Sequence, residues 1–197
     1  QSYDGAEKVL SLCLDLEKKK GSLKYWQDAL ASMIGKRWNK EDEYVLGYKP
    51  KSKVTYDIGF NWVAGVKWLN KAWPKHYCKK LESLLIKKYS ISWQKGLKNL
   101  YGYMDWINSC KLIITNDSLG MHLAIALKKK IIAFFGPTSS QEVYLYGRGV
   151  KVLPKAPYGC VPCLNPECSQ KKNCMEFIMP EIVRLEAEKI LSGKEKK

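Results

Sequence analysis

From residue 56 onward, short β-branched runs alternate with stretches whose apolar residues recur at helical spacing, and that alternation leaves few folds open. Tyr56 to Trp62, Tyr89 to Trp93, Lys111 to Thr115, Lys130 to Phe135 and Val150 to Leu153 read as strands. Behind Pro74, placed to open a first helical turn, Tyr77, Leu81, Leu84 and Leu85 form a stripe at i, i+4, i+7 and i+8. Leu100, Tyr103, Met104 and Ile107 mark a second helix. Asp117-Ser118 caps a third, running to about Leu127, and Pro180 opens a last one. Repeated βα units predict an α/β fold with a doubly wound parallel sheet.

The first fifty residues follow another pattern. Val9, Leu10, Cys13 and Leu16 have helical spacing, and Leu23 to Ile34 reads as a second helix stopped by Gly35. The stretch to Lys53 is charged. Residues 1–53 are therefore expected to be a helical appendage and linker, and residues 54–197 the sheet domain. Seven Trp and twelve Tyr among 197 residues supply a core and exclude a disordered chain. No run approaches the ~18 apolar residues of a membrane helix. No signal peptide opens the chain, and Gln1 reads as the start of something processed or cut from a longer protein.

The net charge of +15 fits nucleic acid, an anionic membrane surface or an anionic small substrate, as well as plain use of Lys on the surface. RNA-module signatures are absent, and no C-x2-C pairs with downstream histidines.

Three strand-to-helix connections can carry chemistry. Thr115 to His122 follows a strand and opens a helix, whose N-terminal amides and dipole suit a phosphate. Ser118 adds a hydroxyl. His122 lies one turn on, its side chain leaning back toward the helix start. Gly136-Pro137-Thr138 repeats the arrangement as a tight turn before another expected helix. Phe60 to Pro74 carries Lys71, placed to neutralise a diphosphate as a point charge. Gln94, just past a strand end, is a candidate base or ribose contact. Trp62, Trp68, Trp73 and Trp93 lie near strand ends, where core packing is the commoner role and stacking on a base the rarer one.

Taken together, Lys71-Ala72-Trp73-Pro74, the run from Asn116 through His122 to Leu127, and Phe135-Gly136-Pro137-Thr138 resemble the C-terminal half of glycosyltransferase family 9, the lipopolysaccharide heptosyltransferases. The family shows K-x-W-P, N-D-[ST]-G-x-x-H-L-A-A-A-L and F-G-P-T in this order, and the resemblance covers residues 54–185. It implies a Rossmann-like domain, one half of a GT-B enzyme that binds a nucleotide-sugar donor, typically ADP-heptose, in a bacterial cytoplasm. On this resemblance the donor would meet Lys71, Asp117, Ser118, Leu119, Gly120, His122, Gly136 and Thr138. The family's Gly after Ser is Leu119 here, a side chain that narrows the approach to the phosphates. The general base belongs to an N-terminal acceptor domain, expected in cis or in trans, since residues 1–53 are too short to supply it. Transfer would be inverting, onto a lipid-linked sugar at the inner membrane, with no cofactor required. The competing reading is a non-catalytic module for anionic ligands or nucleic acid on a degenerate copy of this fold.

Cys160, Cys163, Cys168 and Cys174 form C-x2-C-x4-C-x5-C in a Pro- and Asn-rich loop. Structural zinc, free thiols and two disulfides all satisfy that spacing. Cys13, Cys78 and Cys110 fall on apolar faces and read as inert core residues.

Overall fold

A computed structural model describes residues 24–96 and 99–193. Five strands, β1 (Tyr56–Asn61), β2 (Ile91–Trp93), β3 (Cys110–Asn116), β4 (Lys130–Phe134) and β5 (Gly149–Val152), pair in the order β2-β1-β3-β4-β5. Every pairing is parallel. Among the described residues five α-helices accompany them: α1 (Trp26–Met33), α2 (Lys75–Leu85), α3 (Leu100–Asn108), α4 (Leu119–Ala126) and α5 (Pro180–Leu191).

The two-residue period of the strands divides the core into two layers. Ile58, Phe60, Leu112, Ile114, Ile132 and Phe134 face Leu81 and Leu85 of α2 and Val183, Ala187 and Ile190 of α5. Ile113, Ile131 and Ala133 face Met104 and Ile107 of α3 and Met121, Ala124 and Ile125 of α4. Helices on both faces let the middle strands be apolar on both sides, as Leu112 to Ile114 and Ile131 to Phe134 are.

Several expected boundaries move. The strand expected at Tyr89 begins at Ile91, and Pro74 is the N-cap of α2 rather than its first residue. The turn after β4 leads into no helix: residues 136–148 are irregular, and they lack a repeating apolar stripe to bury. Within the first region, only α1 is helical among the described residues, ending before Gly35 at φ +69°. The helix expected over Ala6 to Leu16, with Cys13, lies outside the described residues. Residues 36–53 instead run across the α3–α4 face, where Tyr44, Leu46 and Tyr48 pack on the core. Asp105 fastens this strap by accepting from the Lys51 amide at 2.8 Å and the Tyr48 hydroxyl at 3.0 Å. Glu43 pairs with Lys128 and Arg148.

Candidate functional site

With strand order 2-1-3-4-5, the chain leaves β1 and β3 toward opposite faces, and the crevice between their carboxyl ends is where such sheets hold ligands. A cavity of about 460 Å³ opens there. Its walls come from the loop after β1 (including Val63, Trp68 and Lys71), the end of β2 (Gln94 and Gly96), and the β3–α4 turn (Asp117 to Gly120). A second hollow of about 410 Å³, lined by Trp93, Asn99 and Trp106, shares Gln94, Gly96 and Tyr103 with the first.

Lys71 donates from Nζ to Asp117 Oδ2 at 2.9 Å, and its ammonium lies 4.9 Å from the Trp68 ring centroid. Cation and helix start thus occupy the same end of the sheet. Ser118 is the N-cap residue of α4, yet its hydroxyl does not cap the helix. Asn61 Nδ2 donates to it at 3.1 Å and to Thr115 Oγ1 at 2.7 Å, while Asn61 Oδ1 accepts from Tyr103 Oη at 2.6 Å. Thr115 gives its own proton to the Asn116 carbonyl at 2.8 Å. The Ser118 hydroxyl accepts from Asn61, has Thr115 Oγ1 3.4 Å away as an internal acceptor, and lies on the cavity wall, where turning its proton outward would let it donate to a phosphate oxygen. Ser118 holds the N-cap position as expected, but its oxygen takes the Asn61 amide and bonds no helix amide.

Asn61 and Tyr103 are buried polar residues that the apolar pattern concealed: one ends a strand and the other lies on the apolar stripe of α3. Asn116 is a third. Its Oδ1 accepts from the Trp73 amide at 3.2 Å and its Nδ2 donates to the Trp62 carbonyl at 3.0 Å, fastening the Lys71 loop at both ends. Gly120 completes the floor, since a Cβ there would stand 2.1 Å from Tyr103 Oη and 2.3 Å from Asn61 Nδ2.

Among the sequence candidates, Lys71, Asp117, Ser118, Leu119, Gly120 and Gln94 line the main cavity; His122, Gly136 and Thr138 do not. Leu119 lies at the lip, 53% exposed, and leaves the cavity open. Gly136 lies over the core, where a Cβ would meet Met175 Sδ at 2.6 Å and Cys174 Sγ at 2.7 Å. Thr138 Oγ1 is buried without a hydrogen-bond partner among the described residues, as is Gln94 Oε1. The Gln94 oxygen belongs to a cavity-lining residue and suits a ligand N–H or hydroxyl. Trp68 lines the cavity, whereas Trp73 is core and donates from Nε1 to the Ile178 carbonyl at 3.0 Å. Trp93 stacks on Phe60, at 4.9 Å between centroids.

His122 packs edge-on against Tyr44, 6.4 Å between centroids. Burial lowers its pKa below the ordinary value, with Asp117 opposing and Lys71 adding to the effect. The unfolded chain therefore takes up this proton first as pH falls. The contribution to stability declines below about pH 6.5 and levels off once folded His122 is protonated as well. His122→Gln is expected to flatten the dependence of the urea midpoint on pH between about 7.5 and 5.5; an unchanged slope would contradict this account.

The four thiols of the Cys160–Cys174 loop differ in setting. Cys160 and Cys168 are exposed, and Cys174 is buried. Burial, with the neighbouring Cys163, Cys168 and Cys160 adding, pushes the Cys174 thiol up to about 11. Among the described residues, no three His, Cys, Asp or Glu side chains are grouped closely enough to hold a metal ion. Cys78 and Cys110 are buried with thiols raised to about 12 and about 11, as inert core residues would be.

Residues 96–174 match the family model of glycosyltransferase family 9 (heptosyltransferase). Over those residues the chain is similar to that family. Over 85 residues it is 36% identical to lipooligosaccharide heptosyltransferase 2 of Campylobacter jejuni, covering 43% of this chain and 27% of that protein. Among solved structures, Escherichia coli ADP-heptose lps heptosyltransferase II superposes with a TM-score of 0.56 at 20% identity, over 74% of this chain and 49% of that one. The dodecameric iron-containing heptosyltransferase TibC, solved in complex with ADP-D-beta-D-heptose, gives 0.56 at 13% identity, over 73% and 47%. These likenesses to solved structures are of fold. The chain spans about half the length of those structures and about a quarter of the Campylobacter relative.

Proposed function

We propose that this chain is the donor-binding half of a heptosyltransferase-type enzyme, and that the crevice between β1 and β3 holds a nucleoside diphosphate sugar, ADP-heptose-like. The observation that carries the reading is the convergence of Lys71, the Ser118 hydroxyl and the start of α4, which has no side-chain cap, on one cavity. A cation, a hydroxyl donor and backbone amides are what a diphosphate needs. Gln94 and the adjoining hollow suit the nucleoside. The Asp117 carboxylate, once Lys71 turns to phosphate, is free to accept from sugar hydroxyls. TibC's ADP-heptose and the Escherichia coli enzyme's name support this donor class.

In the reaction so proposed, a carboxylate from an acceptor domain takes the proton of a sugar hydroxyl on a lipopolysaccharide-type acceptor. The hydroxyl oxygen attacks the anomeric carbon with inversion, and the bond to the diphosphate breaks. Lys71 and the α4 amides stabilise the charge growing on the leaving diphosphate, a role that needs no metal. We place the enzyme in the cytoplasm at the inner membrane, where the +15 charge favours an anionic surface. Among the described residues, no helix is long and apolar enough to cross a membrane.

Calorimetric titration tests the reading. ADP is expected to bind, and UDP and GDP to bind more weakly. Salt-sensitive oligonucleotide binding without nucleotide affinity would favour the nucleic-acid module instead. Metal analysis is a separate test. One zinc or iron per chain, lost on chelation, would assign the four thiols to a metal, and none in protein purified under reducing conditions would leave them as free thiols.

A further inference from the structure

We infer that Asn70 is a positioning residue for the donor site, fixing Lys71 by tying its loop to the four-cysteine segment; the inference rests on the donor reading above. Lys71 ends a 3-10 segment, Val66–Lys71, whose middle is held by neither strand pairing nor a regular helix. Val66 is 90% and Leu69 66% exposed, so apolar burial does not anchor it. Its helical geometry breaks at Trp68, with φ −139° and ψ 54°, and short 3-10 runs are weak in themselves.

Asn70 is the buried residue of that segment, at 9% exposure. Its Nδ2 donates to the Asn165 carbonyl at 2.6 Å, and its own carbonyl accepts from Asn173 Nδ2 at 3.1 Å. Asn165 and Asn173 both belong to the loop that carries the cysteines. On the far side of Lys71, the Trp73 amide is held by Asn116. Lys71 is thus suspended between an anchor one residue before it and another two residues after it.

The cysteine segment is itself fixed. Asn173 and Glu176 form a capping box over the short 3-10 helix Cys174–Phe177, whose Cys174 and Met175 are buried. The Leu164 amide donates to the Pro137 carbonyl at 2.8 Å. The loop therefore ties the turn after β4 to the loop after β1. In this arrangement its contribution to the site is mechanical: it sets where the Lys71 ammonium can reach.

A double-mutant cycle on the 197-residue chain tests the inference. Asn70→Ala is expected to weaken ADP binding about 5- to 10-fold, as loss of a buried hydrogen bond would. In a Lys71→Met background the same change is expected to cost nothing further, because the residue acts through Lys71. Asn173→Ala removes the second tie while leaving Asn70 intact, and is expected to show the same non-additivity. It serves where Asn70→Ala does not fold. Losses that add in the double variants, or no loss in either single variant, would overturn the inference while leaving the donor reading standing. Absence of ADP binding by the unaltered chain would sink the donor reading instead. In that event amide hydrogen exchange over residues 66–73 still decides the positioning role: faster exchange in Asn70→Ala supports it, and unchanged exchange refutes it.

Discussion

Gly120→Ala is expected to destabilise the domain by about 3 kcal/mol and to abolish nucleotide binding. Two effects oppose each other. Within a helix, replacing Gly by Ala gains about 1 kcal/mol of propensity. Against this, the new methyl would lie 2.1 Å from Tyr103 Oη and 2.3 Å from Asn61 Nδ2, both buried. Overpacking costs about 1–3 kcal/mol, and displacing either group leaves buried donors and acceptors unpaired at about 1–3 kcal/mol each. The clash wins. For a domain of this size the melting temperature should fall by about 5–10 °C. Binding fails for a separate reason: once Asn61 moves, the Ser118 hydroxyl has no inner donor to orient it. Adding Tyr103→Phe relieves the nearer contact only, so partial recovery of stability without recovery of binding is the expected pattern. A Gly120→Ala protein with unchanged melting temperature and ADP affinity would show that the floor of the site is not packed as described.

Lys71→Met is expected to weaken ADP binding by about 10- to 100-fold with little change in stability. A hydrogen bond to a charged group contributes about 1.5–3 kcal/mol, which corresponds to that range. The substitution removes the ammonium that faces the diphosphate and also leaves the Asp117 carboxylate beside the ligand without its partner. Stability changes little because the Lys71–Asp117 pair is partly solvated, with side chains 18% and 16% exposed, and Met keeps the aliphatic stem over Trp68. Calorimetry and a thermal melt on the same preparation separate the two effects. Equal affinities for the two proteins would remove Lys71 from the site.

The strands and the strand-to-helix turns could be read from the residues because burial imposes a period on them. Leu112 to Ile114 and Ile131 to Phe134 are apolar on both faces since helices cover both, and that is visible as an unbroken run. Lys71 and Asp117-Ser118, which line the cavity, stand out in the sequence because a cation in a loop and a small polar pair at a helix start are local signals. Asn61 and Tyr103 carry no such signal. Each occupies a position at which the pattern predicts an apolar side chain, and its partner is 42 to 54 residues away in the chain. Asn116 stands inside the Asn116–His122 run, but its part in holding the Lys71 loop depends on partners 43 and 54 residues away. Gly136, Thr138 and His122 do not line the cavity. Their local contexts look like ligand turns, yet packing against Cys174 and Met175 or against Tyr44 withdraws Gly136 and His122 from the cavity.

The ion pair between Lys71 and Asp117 has a bearing on how the site responds to its medium. An incoming diphosphate does not add a new counter-ion to a bare cation; it takes over a role that an internal carboxylate already fills. Fewer bulk anions are shed in such an exchange than the overall charge of +15 suggests. Ionic strength should therefore act on nucleotide capture only mildly, and far less than on any polyanion gathered across the lysine-rich exterior.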